Sequence, residues 1–134
     1  LARRMWRIND LYGATPAHPA ELISVIALDH LESIRARAAS LLTANRRHLN
    51  RFLDARADLE CVRPPFGTVA FPRLRCGSPD RLLELLQSRY DTSIVPGRFF
   101  EMPEHFRIGI GGDTALTAEG LDRLSRALDA LASA

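Results

Sequence analysis

One stretch of the sequence, Glu104–Asp113, contains a side chain that could bind a ligand in a defined geometry. Alternate side chains of a strand point to opposite faces, so Phe106, Ile108 and Ile110 would share a core face. Arg107 would then lie on the other face, beside bare glycine. Glycine inside a strand often marks a close approach by another group, and arginine holds a planar carboxylate through two parallel hydrogen bonds. The pattern predicts a carboxylate-binding arginine; the alternative is an exposed arginine next to a turn.

The remaining reactive residue types exclude several other chemistries. All 18 residues in the Lys+Arg total are arginine, so the chain has no lysine for Schiff-base catalysis or for a phosphate-binding loop. Cys61 and Cys76 form no C-x-x-C pair and have no histidine at ligand spacing, and the four histidines show no catalytic spacing. We therefore expect neither a metal site nor a catalytic residue. Two reduced thiols in a domain with a core are typical of a cytoplasmic protein.

Composition predicts one folded domain with no membrane or nucleic-acid partner. The 134 residues are 46% hydrophobic and 25% charged, with a formal net charge of +2. No apolar run is long enough for a membrane span. The arginines are interspersed with 16 acidic residues and are not interleaved with aromatic ones, which disfavours a nucleic-acid surface.

The elements that must position Arg107 alternate between helix and strand. Apolar residues recur at three- and four-residue spacing over 19–57, which predicts one long helix or two abutting ones. Four strands are expected, at 59–62, 66–71, 92–95 and 105–110. Pro72 is expected to end the second strand, because proline cannot donate to a ladder. A helix is expected from Pro79, after a Ser78 cap, and a last helix from a Thr117 cap.

Two turns border these strands. Gly67-Thr68 opens the second strand, and Pro96-Gly97 closes the third, where the glycine is expected to supply a positive φ. The predicted fold class is α+β. We expect a small, mostly antiparallel sheet of about four strands covered by helices and preceded by a long connecting helix.

Taken in order and spacing, four motifs resemble the C-terminal part of class I/II aminotransferases, the fold type I enzymes that use pyridoxal 5′-phosphate (PLP). The motifs are a helical pattern over 27–49 that ends in Asn45-Arg46-x-x-Leu49, the segment Pro65–Phe71, the turn Ile94–Phe100, and Phe106–Ile110 followed by a helix containing Glu119-Gly120-Leu121-x-x-Leu124. The resemblance extends from about residue 20 to residue 131.

The resemblance implies roles for individual residues. Arg107 matches the arginine that binds the α-carboxylate of the substrate. Five further residues are expected to line the substrate cleft: Gly67, Thr68, Pro96, Gly97 and Phe100. Residues 1–30 would be the end of a large domain and the start of the interdomain helix, and residues 31–134 would be the small domain.

The resemblance also implies an activity for a longer protein. Such enzymes move an amino group between an amino acid and a 2-oxo acid with PLP, and we expect a homodimer. The lysine that holds PLP lies upstream in this family, so the chain would be a truncated product or a fragment, inactive alone, that contributes the carboxylate-binding arginine. Two alternatives stay open. One is the C-terminal module of an aminotransferase-like transcriptional regulator, in which PLP is a ligand, and the other is a stand-alone, non-catalytic interaction domain.

Overall fold

The computed structural model describes residues 1–13 and 17–133. The chain divides into two compact units, Leu1–Ala38 and Ala39–Ala134. The first unit holds α1 (Ala2–Gly13), α2 (His18–Asp29) and the beginning of α3 (Leu31–Asp54), and the second unit holds the remaining elements.

The long helical pattern forms two abutting helices, α2 and α3. The chain leaves helical geometry at His30, whose backbone N–H still donates to the carbonyl oxygens of Ile26 and Ala27. Pro19 lies in the first turn of α2, where its missing N–H costs no hydrogen bond. Within residues 1–13 and 17–133, no helix combines the length and the apolar character needed to cross a membrane.

The second unit is built around β5 (Phe106–Gly109). This strand pairs antiparallel with β4 (Val95–Pro96) on one side and with β2 (Val69–Ala70) on the other. A separate antiparallel pair is formed by β1 (Leu59–Glu60) and β3 (Arg73–Leu74).

Hydrogen bonds join these two small sheets edge to edge. The Phe106 N–H donates to the carbonyl oxygen of Pro72 at 3.0 Å, and Arg73 forms an antiparallel bridge with His105. Residues 69–74 therefore run alongside β5, with β2 and β3 separated by Phe71 and Pro72. The five short strands are all antiparallel to their neighbours, which confirms the predicted small, mostly antiparallel sheet arrangement.

The second strand ends before Pro72, as expected, but it is shorter than predicted: β2 stops at Ala70, and Pro72 lies between β2 and β3. The position uses only the carbonyl oxygen, which accepts the bond from Phe106, while the proline ring is fully buried. A missing N–H costs nothing where the ladder needs no donor. The same holds at Pro96, which lies inside β4 opposite Phe106 instead of in the turn after the strand.

Three helices cover the core face of the sheet: α3, α4 (Pro79–Arg89) and α5 (Thr114–Ala132). Buried side chains of these helices and of the strands form a single apolar cluster. It includes Leu49, Leu53, Ala70, Leu74, Leu82, Leu86, Phe106, Ile108, Ile110, Leu121, Leu124 and Leu128. Each large side chain contributes about 1.5–3 kcal/mol by leaving water. The α+β class is confirmed.

The last helix begins earlier than predicted. Its N-cap is Asp113, whose carboxylate accepts hydrogen bonds from the N–H groups of Ala115 and Leu116. Thr117, the expected cap, lies within the first turn, and its hydroxyl donates to the Asp113 carbonyl at 2.7 Å. Aspartate caps a helix at least as well as threonine, so the helix starts at the first capping residue that the chain reaches.

Arg56 connects the end of α3 to α5 through two carboxylates. Its side chain is 12% exposed, and it lies 2.5 Å from Asp58 and 2.5 Å from Asp129. The hydrogen bond from Arg56 lowers the pKa of Asp58 below its ordinary value, against the opposing effect of burial. Because that pKa is lower in the folded chain than in the unfolded one, the pair stabilises the fold above about pH 4 and loses its effect below.

Replacing Arg56 should therefore lower the free energy of unfolding and also make that free energy depend less on pH in the acidic range. We expect Arg56→Met to lower the free energy of unfolding at pH 7 by about 1–3 kcal/mol, the usual loss for hydrogen bonds to charged groups. Urea titrations from pH 7 to pH 3 should show a smaller acid-dependent loss in the variant than in the parent chain. Arg63→Met is the matched control, because the Arg63–Asp54 pair is 42% and 65% exposed and should contribute less than about 0.5 kcal/mol. Equal losses in both variants would contradict this role of Arg56.

Candidate functional site

Arg107 lies on the face of the sheet opposite the core. Its neighbours along β5, Phe106 and Ile108, are 0% and 9% exposed, and Ile110 is 0% exposed, whereas Arg107 and Gly109 are exposed. The predicted alternation of the two faces is thus confirmed. Core packing of three alternate side chains forces the guanidinium outward.

The Arg107 guanidinium makes no hydrogen bond or ion pair with the described residues, and the ring of Phe100 lies next to it. Its central carbon lies 5.7 Å from the centre of the Phe100 ring. Phe100 packs edge-on against Phe71, with ring centres 5.5 Å apart, and Phe71 stacks on His105 at 5.0 Å. We call Phe71, Phe100 and His105 the aromatic cluster.

Bare glycine leaves space beside Arg107. A methyl group built on Gly109 would meet no atom of the described chain within 4 Å, and one built on Gly111 would only touch Thr68 at 3.8 Å. The outward face of β5 is therefore open at Gly109, the next outward-facing position along the strand from Arg107. Among the described residues, this leaves space beside Arg107 that no side chain fills.

Gly97 begins a 3-10 helix, Gly97–Phe100, that carries Phe100. The Gly97 N–H donates to the His105 carbonyl at 2.7 Å, and its carbonyl accepts from Met102 at 3.0 Å. A Cβ at this position would lie 2.0 Å from the Met102 carbonyl oxygen, so no other residue fits.

The expectation of a positive φ at Gly97 is wrong. The described glycines with positive φ are Gly67 and Gly77. At position 97 the need for glycine comes from the close approach of two backbone carbonyls, which a sequence pattern does not reveal.

The other predicted cleft residues lie around the same strands. Gly67, with φ +108°, and Thr68 precede β2 and are exposed, and the Thr68 carbonyl accepts the Ile110 N–H at 2.8 Å. Pro96 is buried on the core side. The contacts described above bring only Phe100 to Arg107, and the cleft-lining role of the five residues stays a prediction.

Two residues of α3 hold the segments on either side of this face, although the sequence did not single them out as functional. Asn45 is fully buried, and its amide nitrogen donates to the carbonyls of Ile110 and Gly112, each at 2.8 Å. Arg46 donates to the carbonyls of Pro64 and Gly67, each at 2.8 Å. The sequence signal that could have identified Asn45 was the presence of a polar residue within the apolar stripe of α3.

The cysteines take no part in the site. Cys61 is half-buried, and burial raises the pKa of its thiol, while Cys76 is exposed; both are free. In the described ranges no three His, Cys, Asp or Glu side chains come together in a group that could hold a metal ion.

Comparison with known proteins identifies the family. The family model “Aminotransferase class I and II” matches residues 9–124, which is most of the chain. The chain belongs to the class I and II aminotransferases. This assignment agrees with the order of the four motifs and with the arginine on the open face of the sheet.

Individual relatives agree with this assignment and also show that the chain is short. Capreomycidine synthase of Streptomyces vinaceus is 26% identical over 130 residues, which cover 96% of this chain and 33% of that protein. A PLP-dependent aminotransferase from Streptococcus suis 89-1591 has the same fold, with a TM-score of 0.82 at 24% identity over 92% of this chain and 33% of that one. The PLP-dependent cyclase OrfR gives a TM-score of 0.79 at 28% identity over 92% of this chain and 35% of its own. The chain therefore spans about a third of the length of these relatives.

Asn45 provides a test of how α3 fixes the end of β5. We expect Asn45→Ala to lower the free energy of unfolding by about 2–4 kcal/mol, because the buried Ile110 carbonyl and the partly buried Gly112 carbonyl lose their donor. Chemical denaturation followed by circular dichroism measures the change. Asn50→Ala is the control on the same helix, since Asn50 is half-buried and makes no side-chain hydrogen bond with the described residues; its cost should stay below about 1 kcal/mol. A smaller loss at position 45 than at position 50 would show that these bonds do not hold the strand.

Proposed function

We propose that this chain forms the substrate-carboxylate-binding part of a PLP-dependent aminotransferase that transfers an amino group between an amino acid and a 2-oxo acid. Arg107 would hold the α-carboxylate of either substrate through two parallel, charge-assisted hydrogen bonds. The observation that carries the proposal is the placement of Arg107 on an open, glycine-lined rung of β5 without an acidic partner among the described residues. The complete protein would be a homodimer, and its cytoplasmic location stays a prediction.

The chain's own residues do not fit the cofactor. A covalently held PLP requires a lysine amine, and the 134 residues contain none. When bound in such enzymes, PLP supplies the electron sink for the reaction. No step through the cofactor is assigned to this chain, whose contribution is the binding and orientation of the substrate carboxylate.

Variants of Arg107 test this role directly in the complete protein. We expect Arg107→Ala to reduce kcat/KM for the amino acid by the equivalent of about 2–5 kcal/mol, because the carboxylate loses a charge-assisted pair. Arg107→Lys should recover little of the loss, since a lysine ammonium cannot make the planar two-bond contact. Arg75→Ala is the control: Arg75 is an exposed arginine with no side-chain hydrogen bond to the described residues. An unchanged kcat/KM in Arg107→Ala would refute the proposed role.

A second candidate reaction is ring formation within one amino acid substrate. Two relatives that share more than a quarter of their aligned residues with this chain are a synthase and a PLP-dependent cyclase. The carboxylate contact of Arg107 would serve both reactions equally. Product analysis separates them: a transaminase releases a 2-oxo acid and aminates an added 2-oxo acid, whereas a cyclase retains the substrate nitrogen and ignores the acceptor.

We further propose that residues 1–30 belong to a large domain and residues 31–134 to the small domain. This division is supported by the break in the helix at His30 and by the exposure of the first unit, in which no side chain of α1 or α2 is buried. Apolar side chains on several sides of α2 are exposed: Leu22, Ile23, Val25, Ile26 and Leu28. A helix that is apolar all round is normally enclosed by protein, so α2 requires a covering that its own unit does not provide.

Removing residues 1–30 tests this division. We expect the 31–134 chain to keep its cooperative unfolding transition, because the apolar cluster is made of residues beyond 38. The 1–134 chain should self-associate more strongly than the shorter one, since it carries the uncovered apolar surface of α2. Sedimentation velocity over a range of concentrations measures the difference. Loss of the cooperative transition on truncation would contradict the proposed boundary.

A further inference from the structure

The Arg107 side chain needs an orienting contact that its own strand does not provide. Arginine has many rotamers, and holding one of them costs conformational entropy when the ligand arrives. The described residues offer it no acidic partner and no carbonyl. Its contact on the open face is the ring of Phe100, with the guanidinium carbon 5.7 Å from the ring centre, which is within the range of a cation–π attraction.

Phe100 is itself 44% exposed, so it also needs support. Phe71 gives that support from the neighbouring strand: the two rings meet edge to face at 84°, with centres 5.5 Å apart. Phe71 is half-buried, and the register that pairs Ala70 with Ile108 brings Phe71 beside Arg107 across the ladder. Phe71 thus lies beside both Arg107 and Phe100.

His105 holds the other side of Phe71. The two rings are nearly parallel, at 18°, with centres 5.0 Å apart. The Nδ1 atom of His105 is buried and has no hydrogen-bond partner among the described residues, so the contact described for this imidazole ring is its stacking on Phe71. Phe71 is held between two rings, which restricts the positions that Phe100 can take.

We propose that Phe71 is a positioning residue for Arg107 that acts through Phe100, so that the guanidinium is already oriented for a planar carboxylate before the ligand binds. This inference rests on the proposed role of Arg107 and adds to it the residue that sets the arginine's orientation.

Nuclear magnetic resonance of the 134-residue chain tests the orientation without any substrate. The ring of Phe100 should shift the side-chain proton signals of Arg107. We expect Phe100→Leu to abolish that shift and Phe71→Leu to reduce it strongly, while Phe71→Tyr, which keeps the ring, should retain it. Phe99→Leu is the matched control, because the neighbouring Phe99 is 65% exposed and contacts Arg98 instead of Arg107. Phe100→Leu should leave the chain folded because position 100 is exposed, so it provides an independent reading if Phe71→Leu fails to fold.

Kinetics of the complete protein give the second readout. We expect Phe71→Leu to raise KM for the amino acid about two- to tenfold, with kcat changed less than KM, because orienting the arginine again at each binding event costs side-chain entropy. Phe71→Tyr should restore KM. An unchanged Arg107 signal in Phe71→Leu and Phe100→Leu, or an equal change in Phe99→Leu, would overturn the positioning role. If instead the signals respond as expected while Arg107→Ala leaves KM unchanged, the carboxylate role of Arg107 fails and the orienting contact stands.

Discussion

The burial of three alternate side chains on β5 is the constraint on which the rest of the structure depends. Phe106, Ile108 and Ile110 enter the core together, and a strand that buries one set of side chains must expose the other. A shift of the register by one residue would bury the Arg107 charge and expose the apolar side chains. The free energy that folds the domain therefore also determines which way its candidate binding residue points.

The parts of the fold that depend on local periodicity were predictable from sequence. The apolar stripes of α3 and α5 follow from spacings of three and four residues, and the two faces of β5 follow from a spacing of two. These spacings decide directly which side chains enter the core. Errors arose where another residue could do the same job. Asp113 caps α5 before Thr117 can, and Pro96 lies within β4 opposite Phe106 instead of in the turn that follows it.

The candidate site was predictable only in part, because its central residue and its surroundings come from different physical causes. Arg107 was recognisable from its own strand, where glycine spacing reveals open space. The aromatic cluster depends on the register between two strands and on a turn from a third segment, so no single window of sequence contains it. Gly97 shows the same limit: its requirement arises from carbonyls of residues 102 and 105 that fold back onto it.

The hydrogen bonds of Asn45 and Arg46 differ in kind from the apolar contacts that otherwise join α3 to the sheet. The hydrophobic effect has no preferred direction, so apolar contacts alone fix the position of a helix less sharply than hydrogen bonds do. Amide and guanidinium donors aimed at four fixed carbonyls cannot slide, since a displacement of about 1 Å breaks the bonds. These hydrogen bonds fix the position of α3 along its axis relative to the segments at both ends of the open face. Any axial movement of α3 would therefore be transmitted to the loops that border Arg107.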